Sequence, residues 1–322
     1  RLSDLYARVG ETEKSNSVIE KYLVNHPNDI ATWIHLSDLF TSMSNYSAAL
    51  EVVKQGLKHN SGSLSLKIKH GKLLFKTQDY VNSEVVLKEC LKQNPEDVLA
   101  KFALIETYLA QNKIQDAVAQ LDTIPTINLN SENNAVIYSH LVNAIKGSQF
   151  ARKFLNDYLE GKSIDLSDRV HFAIAEIDFS EGNHQGAEQN ALQAIRINPE
   201  NGAALGLLGR INRKLGNLDQ AIFYLAKAIE MQDPVLDDLL ELGRSYIDRR
   251  ETKLALDAFK KAIFQYPERP EPYFMAAQVQ RDCKDYLSAE KMLRKASTLA
   301  PGDLTIHRQL GAIIALNLVH NT

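Results

Sequence analysis

Small residues return to fixed places along this 322-residue chain every 34 positions. One track runs Ser15, Ala49, Ser83, Ala117 and Ala151, then, after a two-residue slip, Ala187, Ala221, Ala255 and Ala289. A second lies twelve residues earlier: Ser3, Ser37, Gly71, Ile105, Ser139, Ala175, Gly209, Gly243, Ala277 and Gly311, with Ile105 breaking the rule. A third, seven after the first, is strict only in the second half, at Ala194, Ala228, Ala262 and Ala296. The prolines keep the same measure. Pro27 and Pro95 are 68 apart, Pro199 and Pro267 likewise, and Pro301 follows 34 later. A period of this length means stacked structural repeats, because a single short unit cannot bury its apolar face alone.

Within each period two segments show apolar residues at helical spacing. Short polar turns join them, such as "SNY", "TQDY", "EGNH", "LGNL" and "CKDY". Proline follows the second segment and stops it, since it cannot donate the next helical hydrogen bond. Small residues where helices cross let the axes approach. The expectation is an all-α fold, a right-handed superhelical α-solenoid. Eight complete units are read at 30–63, 64–97, 98–131, 132–167, 168–201, 202–235, 236–269 and 270–303. A partial repeat, 1–29, precedes them and a terminal helix, 304–322, follows. The slip falls in "EGKSIDLS", Glu160 to Ser167, and "IPTINLNSENN", Ile124 to Asn134, is poor in helix formers. A local change of superhelix is therefore expected around 124–167, within one solenoid over 1–322.

Two stretches carry a family pattern: "LLELGRSYIDRRETKLALDAFKKAIFQYP" (Leu239–Pro267) and "WIHLSDLFTSMSNYSAALEVVKQGL" (Trp33–Leu57). In the first, Leu242, Gly243, Tyr246, Ala255, Phe259, Ala262 and Pro267 fall where the tetratricopeptide-repeat family places Leu, Gly, Tyr, Ala, Phe, Ala and Pro. The chain resembles that family over nearly all its length. The resemblance implies that the first helix of each unit lines a concave groove where a peptide or partner segment lies. The inward positions then include Lys69, Lys72, Lys76, Phe102, Phe172, Glu176, Phe179, Arg210, Arg213, Lys214, Arg244, Phe274, Arg281 and Arg308. Glu241, Asp248, Glu271, Asp282 and Met275 share the face. Forked Arg donors suit carboxylates and aromatics supply anchors, so an acidic partner with apolar side chains is one expectation. The other is that the charges pair among themselves. A carboxylate clamp of the co-chaperone kind is not expected, because Ile68, Ala103, Gly206 and Glu241 stand where its asparagines and basic residues belong.

Catalytic and cofactor signals do not accumulate. The nine histidines form no metal pattern, Cys90 and Cys283 form no CxxC, and "NGAALGLLGR" lacks a phosphate-loop ending. Cys90 falls on the third small-residue track, as a buried small residue. Asp237 and Asp238 read as favourable charges at a helix N-terminus after Pro234. No cofactor or metal is expected. A net charge of −3 supplies no basic field for nucleic acid, and no apolar run is long enough to cross a membrane. The reading is a non-enzymatic interaction scaffold for a protein or peptide. The alternative is the recruiting portion of a larger enzyme, of sulfotransferase, glycosyltransferase or oxygenase type, or of a bacterial polysaccharide-export system. The chain opens mid-pattern at "RLSDLYARVG", and its last helix is apolar on more than one face. Both features read as a piece of a longer protein, which the likeness to bacterial repeat arrays makes a bacterial one; for the last helix, a face that a partner covers is the alternative. The compartment stays open: cytoplasmic as it stands, periplasmic if a leader precedes it.

Overall fold

A computed structural model describes the backbone of residues 12–126, 129, 131–161, 167–231 and 235–320, with side chains from residue 17 on except at 161 and 320. Ser3, Pro234 and the side chain of Ser15 lie outside it. The described residues form helices and no strand. They are α1 (Thr12–Asn25), α2 (Ile30–Ser42), α3 (Tyr46–His59), α4 (Leu64–Lys76), α5 (Tyr80–Gln93), α6 (Val98–Ala110), α7 (Ile114–Asp122), α8 (Glu132–Lys146) and α9 (Ser148–Gly161). After these come α10 (Asp168–Ser180), α11 (His184–Ile197), α12 (Gly202–Leu215), α13 (Leu218–Met231), α14 (Leu236–Asp248), α15 (Thr252–Gln265), α16 (Pro270–Asp282), α17 (Tyr286–Leu299) and α18 (Leu304–His320). Even numbers are first helices of a repeat and odd numbers second helices. Pro27, Pro95, Pro199, Pro267 and Pro301 each stand two residues past the end of a second helix.

The helices divide into two compact units, residues 1–154 and 155–322. In each, helices pack against their chain neighbours, from α1 to α8 and from α10 to α18. First helices also meet the first helices of the next repeat: α2 with α4, α4 with α6 and α6 with α8 in one unit, α10 with α12, α12 with α14 and α14 with α16 in the other. Among the described residues the second helices show no comparable packing on one another. First helices thus form a close-set layer and second helices a more widely spaced one. The all-α repeat solenoid expected from the period is the observed architecture.

The small-residue tracks account for that packing. From Ala49 to Ala289 every member of the first track is fully buried. A Cβ added to Gly71 would stand 2.7 Å from the Leu87 side chain, and Leu225 and Phe259 crowd Gly209 and Gly243 in the same way. The missing side chain is what lets the large residue of the second helix sit against the first helix. Two members depart. Gly311 is exposed, and a Cβ there meets nothing, so it spaces no described helix. Tyr22, seven residues after Ser15 and so the first member of the third track, is exposed and stacks on His26.

The turns have one design. Ser44, Gln78, Asn112, Gly182, Gly216, Arg250 and Lys284 adopt positive φ, and the same 34-residue step with its slip connects them. In four of these turns the next residue, an Asn or Asp, caps the second helix: Asn45, Asp79, Asn183 and Asp285 each accept a hydrogen bond from the backbone N–H three residues on, whereas Lys113 and Glu251 make no such cap. In those four, reversal and restart are coded in two adjacent residues.

Candidate functional site

In the first unit a groove of about 250 Å³ opens over the first helices alone. Thr41 comes from α2, Lys69, Lys72, Phe75 and Lys76 from α4, Leu99, Phe102 and Glu106 from α6, and Ile137 from α8. The expected residues Lys69, Lys72, Lys76 and Phe102 are thus brought together. Spacing explains the lysines, since steps of three and four residues keep side chains on one helix face. Phe102 is buried and supplies floor rather than an exposed anchor.

The three ammonium groups differ. Lys69 is paired with Asp38 of α2. Lys76 stands 5.8 Å from the centre of the Phe75 ring. Lys72 has no ion pair among the described residues. Burial pushes it below the usual lysine range, with Lys69 acting the same way and Glu106 opposing. Glu106 remains in contact with water, yet partial loss of hydration against the groove walls pushes its carboxyl upward, opposed by Lys72 and Lys76. Apolar walls thus flank two cations that form no ion pair among the described residues, with the weakened acid Glu106 acting on both.

Glu106, Ile137, Leu99, Thr41 and Phe75 were not among the expected residues. A signal existed for most of them: Glu106 is one 34-residue step beyond Lys72, Ile137 two beyond Lys69, and Phe75 one beyond Thr41.

The remaining expected residues lie in the second unit. Arg213 of α12 reaches α14, with Nη1 3.2 Å from Glu241 and Nε 2.9 Å from Asp248. Arg244 is paired with the other oxygen of Glu241. Arg281 contacts Asp282 at 2.8 Å and donates to Gln309 at 3.2 Å. Here the charges pair with one another. Arg210 faces Asp238, which is buried; burial lifts its carboxyl to about 6, with Arg210 opposing. Asp237 and Asp238 both stand in the first turn of α14, as read from the sequence; the side chain of Asp238 in addition turns inward against Gly206. Phe172 and Phe179 pack against the cluster of Ala175, Leu207 and Ile211, and Phe274 against that of Tyr273 and Ile306, so these rings are partly spent on packing. Glu176 is half-buried, whereas Lys214 and Arg308 are exposed.

Among the described residues no group of three or more His, Cys, Asp or Glu is placed to hold a metal ion, and no helix is long and apolar enough to cross a membrane. Stacked helix pairs offering a charged groove define a helical-repeat scaffold. Tetratricopeptide-repeat models match residues 74–135, 178–240 and 240–303, more than half of the chain. The chain belongs to the tetratricopeptide-repeat family, whose repeats indicate a protein–protein interaction scaffold. It is similar to a tetratricopeptide repeat-containing protein of Methanocaldococcus jannaschii, with 21% identity over 265 residues, 78% of this chain and 45% of the relative. The chain thus spans less than half the length of that relative. Among solved structures, it is similar to a chain of the APC/C Cut9–Hcn1 hetero-tetramer, with TM-score 0.58 and 14% identity over 94% of this chain and 59% of the other. A tetratricopeptide repeat protein from Parabacteroides merdae matches with TM-score 0.51 and 15% identity, over 71% and 90%. At these identities the structures share the fold.

Proposed function

We propose that the chain is a non-enzymatic scaffold that holds an acidic, apolar-anchored peptide or partner segment in the groove of α2, α4, α6 and α8. One observation carries this reading. Lys72 and Lys76 form no ion pair among the described residues and lie beside the apolar surface of Leu99, Phe102 and Ile137, with Glu106, a weakened acid, as the groove carboxylate that acts on both. A carboxylate arriving there replaces lost hydration with a charge-assisted hydrogen bond, while an adjacent apolar side chain buries against the wall. The second unit is less suited to anions, because Arg213 and Arg244 already share Glu241. As the recruiting portion of a longer enzyme or export machine, the same groove would do the same work.

The test is affinity capture with the full chain, mapping of the bound peptide, and titration of that peptide against the double variant Lys72→Glu/Lys76→Glu. Affinity falling tenfold or more, with steep salt dependence, is the expected result. Equal affinity for variant and parent overturns the assignment. A loss seen instead with Arg244→Glu moves the site to the second unit.

A further inference from the structure

A second groove, sharing no residue with the first, lies between α1 and α3 with α2 as its floor, and encloses about 620 Å³. That falls within the range of about 300–1,000 Å³ typical of ligand sites. Its interior is apolar. Leu23, Val52 and Trp33 are buried members of one core cluster, and their outer edges face the groove. Val24 stands at its mouth and is 80% exposed. The next two repeats carry Lys58 and Lys92 at the place of Val24. Packing within the repeat therefore does not require an apolar side chain there. Such residues left in water beside an open apolar cavity mark a contact surface.

Two carboxylates stand on the rim, with Gln55 and His59 as the other polar side chains of the lining. Glu20 on α1 and Glu51 on α3 both line the groove, and neither is in an ion pair among the described residues. Glu51 only accepts a 3.4 Å hydrogen bond from Gln55. An apolar trough between unpaired carboxylates is complementary to a bulky apolar side chain flanked by cations.

We infer that this groove docks a segment of another protein carrying a Leu- or Phe-type anchor with Lys or Arg on either side. Its charge preference is opposite to that of the α2–α4–α6–α8 groove. One chain would thereby hold two partners of opposite charge, on surfaces that do not overlap.

The chain has a single tryptophan, and Trp33 lines this groove, so its emission reports occupancy. The probes are two acetylated, amidated 14-residue peptides, one of Leu and Lys at helical spacing, the other with Glu for every Lys. The Leu/Lys peptide is expected to shift Trp33 emission saturably in the full chain, and the Leu/Glu peptide to leave it unchanged. Val24→Lys, which installs the residue of the following repeats, should weaken binding tenfold or more without lowering the melting temperature. Glu20→Lys/Glu51→Lys should weaken it as much, and Lys72→Glu should not. Equal binding of both peptides, or full affinity in Val24→Lys, overturns the proposal. Sedimentation showing dimers of the parent chain that Val24→Lys dissociates would assign the groove to a second copy and overturn it as well.

Discussion

Asp238 seats its carboxylate in the notch left by Gly206: a Cβ at residue 206 would stand 2.5 Å from Oδ1. The acid belongs to α14 and the glycine to α12, so a missing side chain in one repeat accommodates a buried charge from the next. In an ordinary helix, Gly→Ala stabilises by roughly 0.5–1 kcal/mol. Here Gly206→Ala is expected to destabilise by about 1–3 kcal/mol, since the methyl group meets a held carboxylate. Urea unfolding of the two proteins measures the sign.

The same acid makes stability depend on pH. Burial holds its folded pKa near 6, above the ordinary 3.8. Between those values the folded state holds the proton more tightly than the unfolded chain does. Its contribution to stability is therefore fully present below about pH 4 and is lost as pH rises through 6. Asp238→Asn should flatten this fall, worth on the order of 2–3 kcal/mol for a shift of that size. Denaturant midpoints from pH 4 to 7 for both proteins test it.

Glu84 behaves in the opposite sense. Lys113 and Lys88 each approach it at 2.6 Å and hold its carboxyl down to about 2. This contribution is present above about pH 4.5 and is lost as pH falls toward 2. Both lysines are substantially exposed, so screening limits the gain to about 1 kcal/mol. Glu84→Gln should remove that increment at neutral pH and shallow the acid limb of the stability curve.

The two thiols should separate cleanly. Cys90 is fully buried, and burial pushes its thiol up to about 11, whereas Cys283 is exposed. A thiol reagent at pH 7 is expected to label one site promptly and the second only on unfolding, because the thiolate is the reactive form. Cys283→Ser should abolish the prompt phase.

Lys284 and Gln78 occupy a left-handed conformation that glycine fills at residues 182 and 216. Side chains there cost roughly 1 kcal/mol. Lys284→Gly and Gln78→Gly should each raise the melting point, offset in part by the entropy of a freer unfolded chain.

Much of the groove could be read from the repeat. Lys69, Lys72 and Lys76 follow from helix spacing on a first helix, and Glu106 and Ile137 lie one and two periods beyond. That charges on this face pair among themselves was one of two expectations, but which of them pair could not be read. Arg213 and Arg244 stood as candidate anion sites, yet both turn to Glu241, while Lys72 keeps no such partner. A shift of a few ångströms decides whether a flexible cation meets a carboxylate or open groove, and residue spacing does not encode that shift.

Periodicity alone determined the all-α stack, the turn positions and the sites of close helix contact. Those features depend on local dihedrals and side-chain volume, which recur with the residues themselves. Tertiary packing decided which charges are spent within the protein, that Asp238 turns inward, and that cavities open over α4 and between α1 and α3. These depend on distances between separate helices, where side-chain reach and lost hydration set the outcome.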